Sequence, residues 1–363
     1  MSMTPRERIL AVLKGEEPDK TPICVYGFFL AQTGPEWYWR LKQRGLALVR
    51  SSQFCKPQLV LEGAHPGFDD IRVTTIKYVE KGIYKSRYTY ETPVGSITGV
   101  TAQDRKSDVT WGAAPEEYLI KQPSDWWVVN HIIKEIIDNL VPSYELVERV
   151  KCELGEDGVT CAVVTHTAWQ MAWMRLAGPE RAAIDFHEQP DGVQEYIELQ
   201  KRWHSRWAEF AAGCPAQWIF FADHISDMTS PKYYREYSLP IYEIFNKQLA
   251  GSGKTLTVHM DGRLGNLRKL IAETPIDAVE SFSVPPTGDI SLDEAKKIWP
   301  SKMIFMNTAA HMAWAKPAEV RSFYEGLADE WGGKKGLMLE LVEQIPIQTV
   351  EAHMSAALDA FGY

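Results

Sequence analysis

Eight short apolar runs, separated by polar or turn-forming residues, constrain the fold of this chain more than any other feature of its sequence. Several runs are rich in Val, Ile and Phe, as buried strands are. From the third run onward they alternate with helical patterns, as after Ser230-Pro231. The runs are Pro22–Tyr26, Gln58–Glu62, Thr160–His166, Trp218–His224, Thr255–His259, Asp277–Phe282, Met303–Asn307 and Leu337–Glu343. Eight strands with intervening helices predict an α/β fold, a (β/α)8 TIM barrel.

One stretch departs from this alternation. From Ile71 to Val100 the sequence alternates between apolar and polar residues on both sides of a turn at Lys81-Gly82, which predicts a β-hairpin or small meander. We place it as an insertion after the second barrel strand. The 363 residues suit a barrel with an insertion. The prediction is therefore one domain over residues 1–363, with residues 64–156 containing the insertion.

Charge and cysteine content restrict the partners and the compartment. A formal net charge of -9 argues against nucleic acid or an anionic membrane as the main partner. No apolar run approaches the roughly 20 residues needed to span a bilayer, and no signal peptide is visible. The five cysteines are scattered and form no CxxC pair, which is typical of reduced thiols. We therefore expect a cytoplasmic protein.

Polar side chains follow most of the predicted strands. In a barrel of this class, catalytic groups lie at the carboxyl ends of the strands, which meet at one mouth. A single strand-end carboxylate often caps a helix or binds an arginine, but a cluster indicates a site. The strand-end residues are Tyr26, His166, Asp223, His224, His259, Asp261, Glu280, Asn307 and Glu343.

Four of these residues are candidate ligands for a divalent ion. His259, Asp261, Glu280 and Glu343 offer one imidazole and three carboxylates, a donor set that suits zinc and that iron or manganese would also accept. The sequence contains neither HExxH nor CxxC. The alternatives are a core histidine at His259 and a simple turn at Asp261-Gly262.

The remaining polar residues are candidates for catalysis or substrate binding. Asp223 and His224 are suited to acid–base chemistry or substrate positioning, although Asp223 could instead orient a neighbour through hydrogen bonds. His166 precedes Trp169, which could flank a planar ligand or pack in the core. His311, in the loop after the seventh strand, either reaches the mouth or is solvated.

The order of several motifs resembles that of the uroporphyrinogen decarboxylase-like superfamily over nearly the whole chain. The resemblance implies a (β/α)8 barrel, in agreement with the strand count. The segments that carry it are Met3–Arg8, Asp19–Pro22, Ala222–His224, Ser230-Pro231, Leu239-Pro240, His259–Gly262, Glu280–Phe282, Pro285–Asp289 and Glu343–Pro346.

The superfamily includes two chemistries, and they differ at sites that can be compared with this sequence. Its decarboxylases resemble one another in an arginine-rich segment near the first strand that grips substrate carboxylates, whereas Val25–Gln32 contains no arginine. Its thiol methyltransferases hold zinc with His-x-Cys and a later cysteine. Here Asp261 stands at the first cysteine position and Glu343 near the second. Oxygen ligands leave zinc a harder Lewis acid, better suited to an ether oxygen.

The hairpin insertion and the Pro285–Asp289 segment resemble the corrinoid-dependent O-demethylase branch. This implies a zinc-dependent methyltransferase that moves a methyl group from a methoxylated aromatic compound to a corrinoid-binding protein. His259, Glu280 and Glu343 would hold zinc, with Asp261 as a further candidate ligand. The residues that would orient the substrate or protonate the product are Tyr26, His166, Asp223, His224 and Asn307. The further candidates for substrate binding are Phe28, Trp169, Trp173 and His311. The alternatives are methyl transfer from a corrinoid to a thiol or pterin, decarboxylation, and non-catalytic binding of a corrinoid or tetrapyrrole.

Overall fold

The computed structural model of the chain describes residues 2–28, 30, 36–57, 67–103, 113–341 and 345–363. Eight parallel strands form a closed barrel in which the first strand pairs with both the second and the eighth. In chain order the strands are Ile23–Tyr26, Ala47–Ser52, Gly158–Val164, Trp218–Ile225, Thr255–Met260, Ala278–Phe282, Met303–Asn307 and Leu337–Leu341. The predicted (β/α)8 barrel is confirmed, and seven of the eight predicted runs overlap a barrel strand.

The second barrel strand was assigned wrongly from the sequence. It is Ala47–Ser52, while the predicted run Gln58–Glu62 lies outside the described residues. The true strand is hard to recognise because its apolar run is interrupted by Arg50, whose guanidinium reaches Glu153 at 2.5 Å. Its pairing with the third strand requires a glycine: a Cβ atom on Gly158 would lie 1.7 Å from the carbonyl oxygen of Leu48.

Helices follow the strands around the barrel. One further helix, Pro5–Leu13, precedes the first strand and is capped at its start: Thr4 Oγ1 accepts a hydrogen bond from the Glu7 amide, and the Glu7 carboxylate accepts one from the Thr4 amide. In the described part of the chain, no helix is long and apolar enough to cross a membrane. The α-helices are Pro5–Leu13, Glu36–Lys42, Trp126–Asp138, Glu145–Leu154, Ala168–Met171, Gly178–Glu188, Asp191–Gly213, Pro231–Tyr233, Leu239–Leu249, Arg268–Glu273, Leu292–Ile298, Pro317–Trp331 and Val350–Ala360, with π-helical turns at Ala172–Leu176 and Tyr234–Ser238.

The insertion lies between the second and third barrel strands and is an antiparallel sheet. Its four strands, in sheet order, are Arg72–Glu80, Ile83–Thr92, Gly95–Gln103 and Ala114–Glu117. The predicted turn at Lys81-Gly82 is present, with a positive φ at both residues. The predicted hairpin is thus confirmed, within a larger sheet. The second and third of these strands pack against the helix Trp126–Asp138.

Aromatic side chains fill the barrel beneath its carboxyl-terminal mouth. The Trp218 ring packs against Tyr26 and Phe305, with centroids 6.3 and 5.4 Å away, and its indole N–H donates to Thr257 Oγ1 at 2.7 Å. Phe220 lies above it, 6.5 Å from Tyr26. The interior is therefore a packed core with an aromatic upper layer, and polar groups are grouped at the mouth above it.

Candidate functional site

Two histidines and an aspartate meet at the ends of the fourth and fifth barrel strands. Asp261 Oδ2 lies 3.7 Å from His224 Nδ1 and 3.9 Å from His259 Nε2, and one ligand atom from each of the three side chains lies within 4.8 Å of the others. His224 is 42% exposed along its side chain, so the cluster is open to solvent. Burial opposes ionisation of Asp261, but the neighbouring imidazoles of His224 and His259 hold its pKa below the usual value.

Glu280 lies behind this cluster. One carboxylate oxygen is 2.6 Å from His259 Nδ1, and the other accepts a hydrogen bond from the Tyr26 hydroxyl at 2.8 Å. Since a carboxylate can only accept, Nδ1 carries a ring proton, and Nε2 is the ring nitrogen that faces Asp261. A carboxylate on the far nitrogen of a metal-binding histidine fixes its ring orientation and raises its basicity. The geometry therefore favours a supporting role for Glu280 over the ligand role that its sequence position suggested.

A local distortion in the sixth strand sets the position of Glu280. The next residue, Ser281, has φ of 61°, in the left-handed region that non-glycine residues rarely adopt. Its amide donates to Glu340 Oε1 at 2.8 Å, and its hydroxyl accepts from Asn307 Nδ2 at 2.9 Å. Asn307, a candidate catalytic residue, is thus buried and braces this bulge, and such strained positions are often found at functional sites.

Glu340 was not among the residues singled out from the sequence. It is 1% exposed in the eighth strand, and burial together with the charge of Glu280 raises its pKa well above the usual value. A neutral carboxyl group therefore lies beside Glu280 at the base of the site. The signal for it was a glutamate inside the apolar run Leu337–Leu341; attention to the end of the run selected Glu343, which lies outside the described residues.

The segment Pro285–Asp289 holds the loop that carries Asp261. The Asp289 carboxylate accepts hydrogen bonds from the amides of Leu264 and Gly265 at 2.8 and 3.0 Å. Gly288 packs so closely that a Cβ atom there would lie 1.8 Å from the Ser283 carbonyl oxygen. This motif thus has a structural role in fixing the loop after the fifth strand.

Asp223 faces away from the cluster, although it directly precedes His224. Its two oxygens accept hydrogen bonds from the Thr167 amide and the Tyr242 hydroxyl, both at 2.6 Å. It is fully buried between the barrel and the helices, and this burial raises its pKa to about 6. The geometry therefore favours the alternative in which Asp223 orients neighbouring groups over direct catalysis.

His166 lies on the mouth side of the third strand. Its ring is stacked with that of His224, with 6.1 Å between centroids, and it is 9% exposed. Burial and then the neighbouring His224 lower its pKa well below the usual value, so the imidazole is neutral. Within the described residues its Nε2 atom has no hydrogen-bond partner. A buried nitrogen of this kind at a mouth is suited to a ligand.

The aromatic candidates fall into two groups. Phe28 is exposed and 5.9 Å from the Tyr26 ring, next to the mouth. Trp169 is buried between Phe186 and Tyr233, with centroids 5.3 and 4.6 Å away, which favours core packing. Trp173 is half-buried and donates to Gln170 Oε1 at 2.5 Å, and the exposed His311 ring packs edge-on against Phe323. These contacts place only Phe28 beside the barrel interior.

Comparison with known proteins agrees with this architecture. Residues 112–362 match the uroporphyrinogen decarboxylase (URO-D) family. The chain belongs to this family. Among solved structures, this URO-D family chain is similar to a methyltransferase from Methanosarcina mazei, with a TM-score of 0.58 and 13% identity over 100% of both chains, which shows a shared fold. A search of curated proteins gave no match.

Proposed function

We propose that this URO-D family chain is a zinc-dependent methyltransferase. It moves a methyl group from a methoxylated aromatic compound to the reduced cobalt of a corrinoid on a separate protein, and a phenol remains. The observation that carries this proposal is the grouping of His224, His259 and Asp261 at the barrel mouth, with Glu280 behind His259.

The donor set fits a catalytic zinc ion. Three protein ligands of nitrogen and oxygen type, with a fourth position open, are typical of such sites. Two ligands at about 2.1 Å from one ion in a tetrahedron lie about 3.4 Å apart. The distances of 3.7 and 3.9 Å from Asp261 to the two imidazoles are close to this value. His224 thus takes the place in the ligand set that the sequence had suggested for Glu280, while Glu343 stays a prediction.

Zinc bound there would supply Lewis acidity, which polarises the ether oxygen and stabilises the phenolate. The protein's own residues would position the substrate. Tyr26 and Phe220 form an apolar base for an aromatic ring beneath His259. His166 is neutral at physiological pH and presents Nε2 as a hydrogen-bond partner for a substrate oxygen beside the cluster.

Side chains at the mouth argue against the alternative chemistries. All five cysteines are in described parts of the chain, and none contributes to the cluster of His224, His259 and Asp261. The zinc site of a thiol methyltransferase would include cysteine ligands. Four of the five cysteines are buried and Cys152 lies on the helix Glu145–Leu154. The absence of arginine from Val25–Gln32 likewise argues against a substrate with many carboxylates.

The central test is metal content together with methyl transfer. The full chain should retain about one zinc per molecule after dialysis and demethylate a methoxyphenol with free cob(I)alamin as acceptor, followed by the absorbance of the cobalt species. His259→Ala should lose both properties because a ligand is removed. His311→Ala, which removes an imidazole outside the cluster, should retain both. Stoichiometric zinc and full transfer in His259→Ala would refute the site.

The substrate class has a separate test. Because a ligand that binds the native state raises its apparent stability, thermal unfolding can rank methoxylated phenols against polycarboxylates. We expect stabilisation by methoxyphenols in the zinc-loaded protein and none by a porphyrin polycarboxylate. Stabilisation by the polycarboxylate alone would favour decarboxylation.

A further inference from the structure

The outer strand of the inserted sheet, Arg72–Glu80, presents a long edge. On its inner side it pairs with Ile83–Thr92 in an unbroken antiparallel register. Among the described residues, no strand pairs with its outer side. Ile76 and Val79 on this strand are 57% and 59% exposed. Exposed edges of this length and composition pair readily with another strand.

The sequence of this strand is complementary to itself in one antiparallel register. When two copies are opposed about Ile76, Arg72 of each faces Glu80 of the other, and Val73 faces Val79. Ile76 then faces its own copy, Thr74 faces Tyr78, and Thr75 faces Lys77. Directly opposed residues in antiparallel strands share a face, and pairs of opposite charge or of apolar side chains stabilise the pairing.

Registers shifted by one residue lose this complementarity. A centre between residues 75 and 76 opposes Arg72 to Val79, and a centre between residues 76 and 77 opposes Glu80 to Val73. The symmetric register instead extends contacts within each sheet: Tyr90 pairs with Val73, and Val79 pairs with Tyr84, so the junction continues an apolar row. Lys77, the kind of residue that commonly protects edge strands, faces the neutral Thr75 rather than its own copy.

We propose that two copies of this chain pair through Arg72–Glu80 about a two-fold axis at Ile76, which joins the two inserted sheets into one. Such an interface is isologous: the same patch serves both subunits, and each charge pair occurs twice. Arg72 would lie between Glu91 of its own chain, at 3.5 Å, and Glu80 of the other copy. The first three strands of this sheet precede residue 112, where the family match begins.

The test is a charge swap in the full chain, measured by light scattering and sedimentation equilibrium up to about 100 µM, which detects micromolar dissociation constants. The wild-type protein should approach twice its mass of 41.2 kDa. Arg72→Glu or Glu80→Arg alone should raise the dissociation constant on the order of tenfold or more, because two attractive pairs become repulsive. An equal mixture of the two variants should associate, since each variant then opposes Arg to Glu at both pairs.

The matched control is Glu117→Arg, a charge reversal on the opposite edge of the same sheet, which should leave dimerisation unchanged. Arg72 and Glu80 are exposed, with side chains 79% and 54% accessible, so both variants should fold, as circular dichroism would check. A wild-type monomer at the highest concentration would overturn the proposal. A dimer that neither charge reversal weakens, or single variants that do not associate when mixed, would overturn it as well.

Discussion

Asp223 and Glu280 show how one barrel uses the same chemical group in two ways. Both carboxylates are fully buried near strand ends, but they point in opposite directions. Asp223 points toward the helices and bonds to Thr167 and Tyr242, whereas Glu280 points inward and contacts His259 and Tyr26. Successive side chains of a strand point to opposite faces. A shift of one position along a strand therefore decides whether a carboxylate faces the helices, as Asp223 does, or faces a metal ligand inside the barrel, as Glu280 does. Burial and strand-end position alone do not distinguish them.

The strongest test of this difference replaces each carboxylate by its amide and measures zinc affinity. Glu280→Gln should weaken zinc binding about 10–100-fold, because the group that orients His259 and raises its basicity loses its charge. Asp223→Asn, the matched change on the outward side, should alter zinc affinity less than about twofold, since it touches none of the three ligands. Competition with a chromophoric chelator measures both. Equal losses in the two variants would contradict the distinction drawn from strand direction.

The sequence predicted the barrel because buried parallel strands leave a strong local signal. It failed at Ala47–Ser52, where Arg50 and two serines break the apolar run and the pairing is set by contacts with strands far away in the chain. The inserted sheet was predicted through its turn at Lys81-Gly82, but its fourth strand, Ala114–Glu117, has no comparable signal.

The site was predicted in part for a similar reason. Strand-end reasoning found His224, His259 and Asp261 but could not tell which nitrogen of His259 faces Glu280, because that depends on a bulge at Ser281. Glu340 was overlooked because a glutamate within an apolar run is not expected to be buried. Its partner in the folded protein, the Ser281 amide, lies far away in the sequence. The position of a polar residue at a strand end can be predicted from the local sequence. The direction of its side chain and its hydrogen-bond partner depend on the folded chain.

A second test examines Asp223 through the pH dependence of the free energy of unfolding. Burial raises the pKa of Asp223 to about 6, above its unfolded value. Between about pH 4 and pH 6 the unfolded chain therefore loses this proton while the native protein retains it. The contribution of Asp223 to the free energy of unfolding should therefore fall as pH rises through this window, by on the order of 3 kcal/mol, and then level off.

Asp223→Asn should flatten that slope, because the amide does not titrate. Urea unfolding of chelator-treated protein at several pH values, compared with wild type, isolates the contribution of Asp223 from that of bound metal. Glu351→Gln is the contrasting control: Arg40 lowers the pKa of Glu351, so this carboxylate contributes a slope of the opposite sign, and its removal should steepen the fall at the acid end of the window rather than flatten it. An unchanged slope in Asp223→Asn would show that Asp223 is ionised in the native protein throughout this range.

The smallest expected effect is a change in KM that differs between His166 and His311, two histidines that were both candidates for the barrel mouth. His166→Ala should raise KM for a methoxyphenol by about two- to tenfold and leave zinc content unchanged, because one neutral hydrogen bond contributes about 0.5–1.5 kcal/mol. His311→Ala should change KM less than twofold, since that ring packs against Phe323 and has no described contact with the cluster. Steady-state kinetics with free cob(I)alamin distinguish the two. A larger effect at His311 than at His166 would place the substrate over the loop after the seventh strand and away from the stacked pair of His166 and His224.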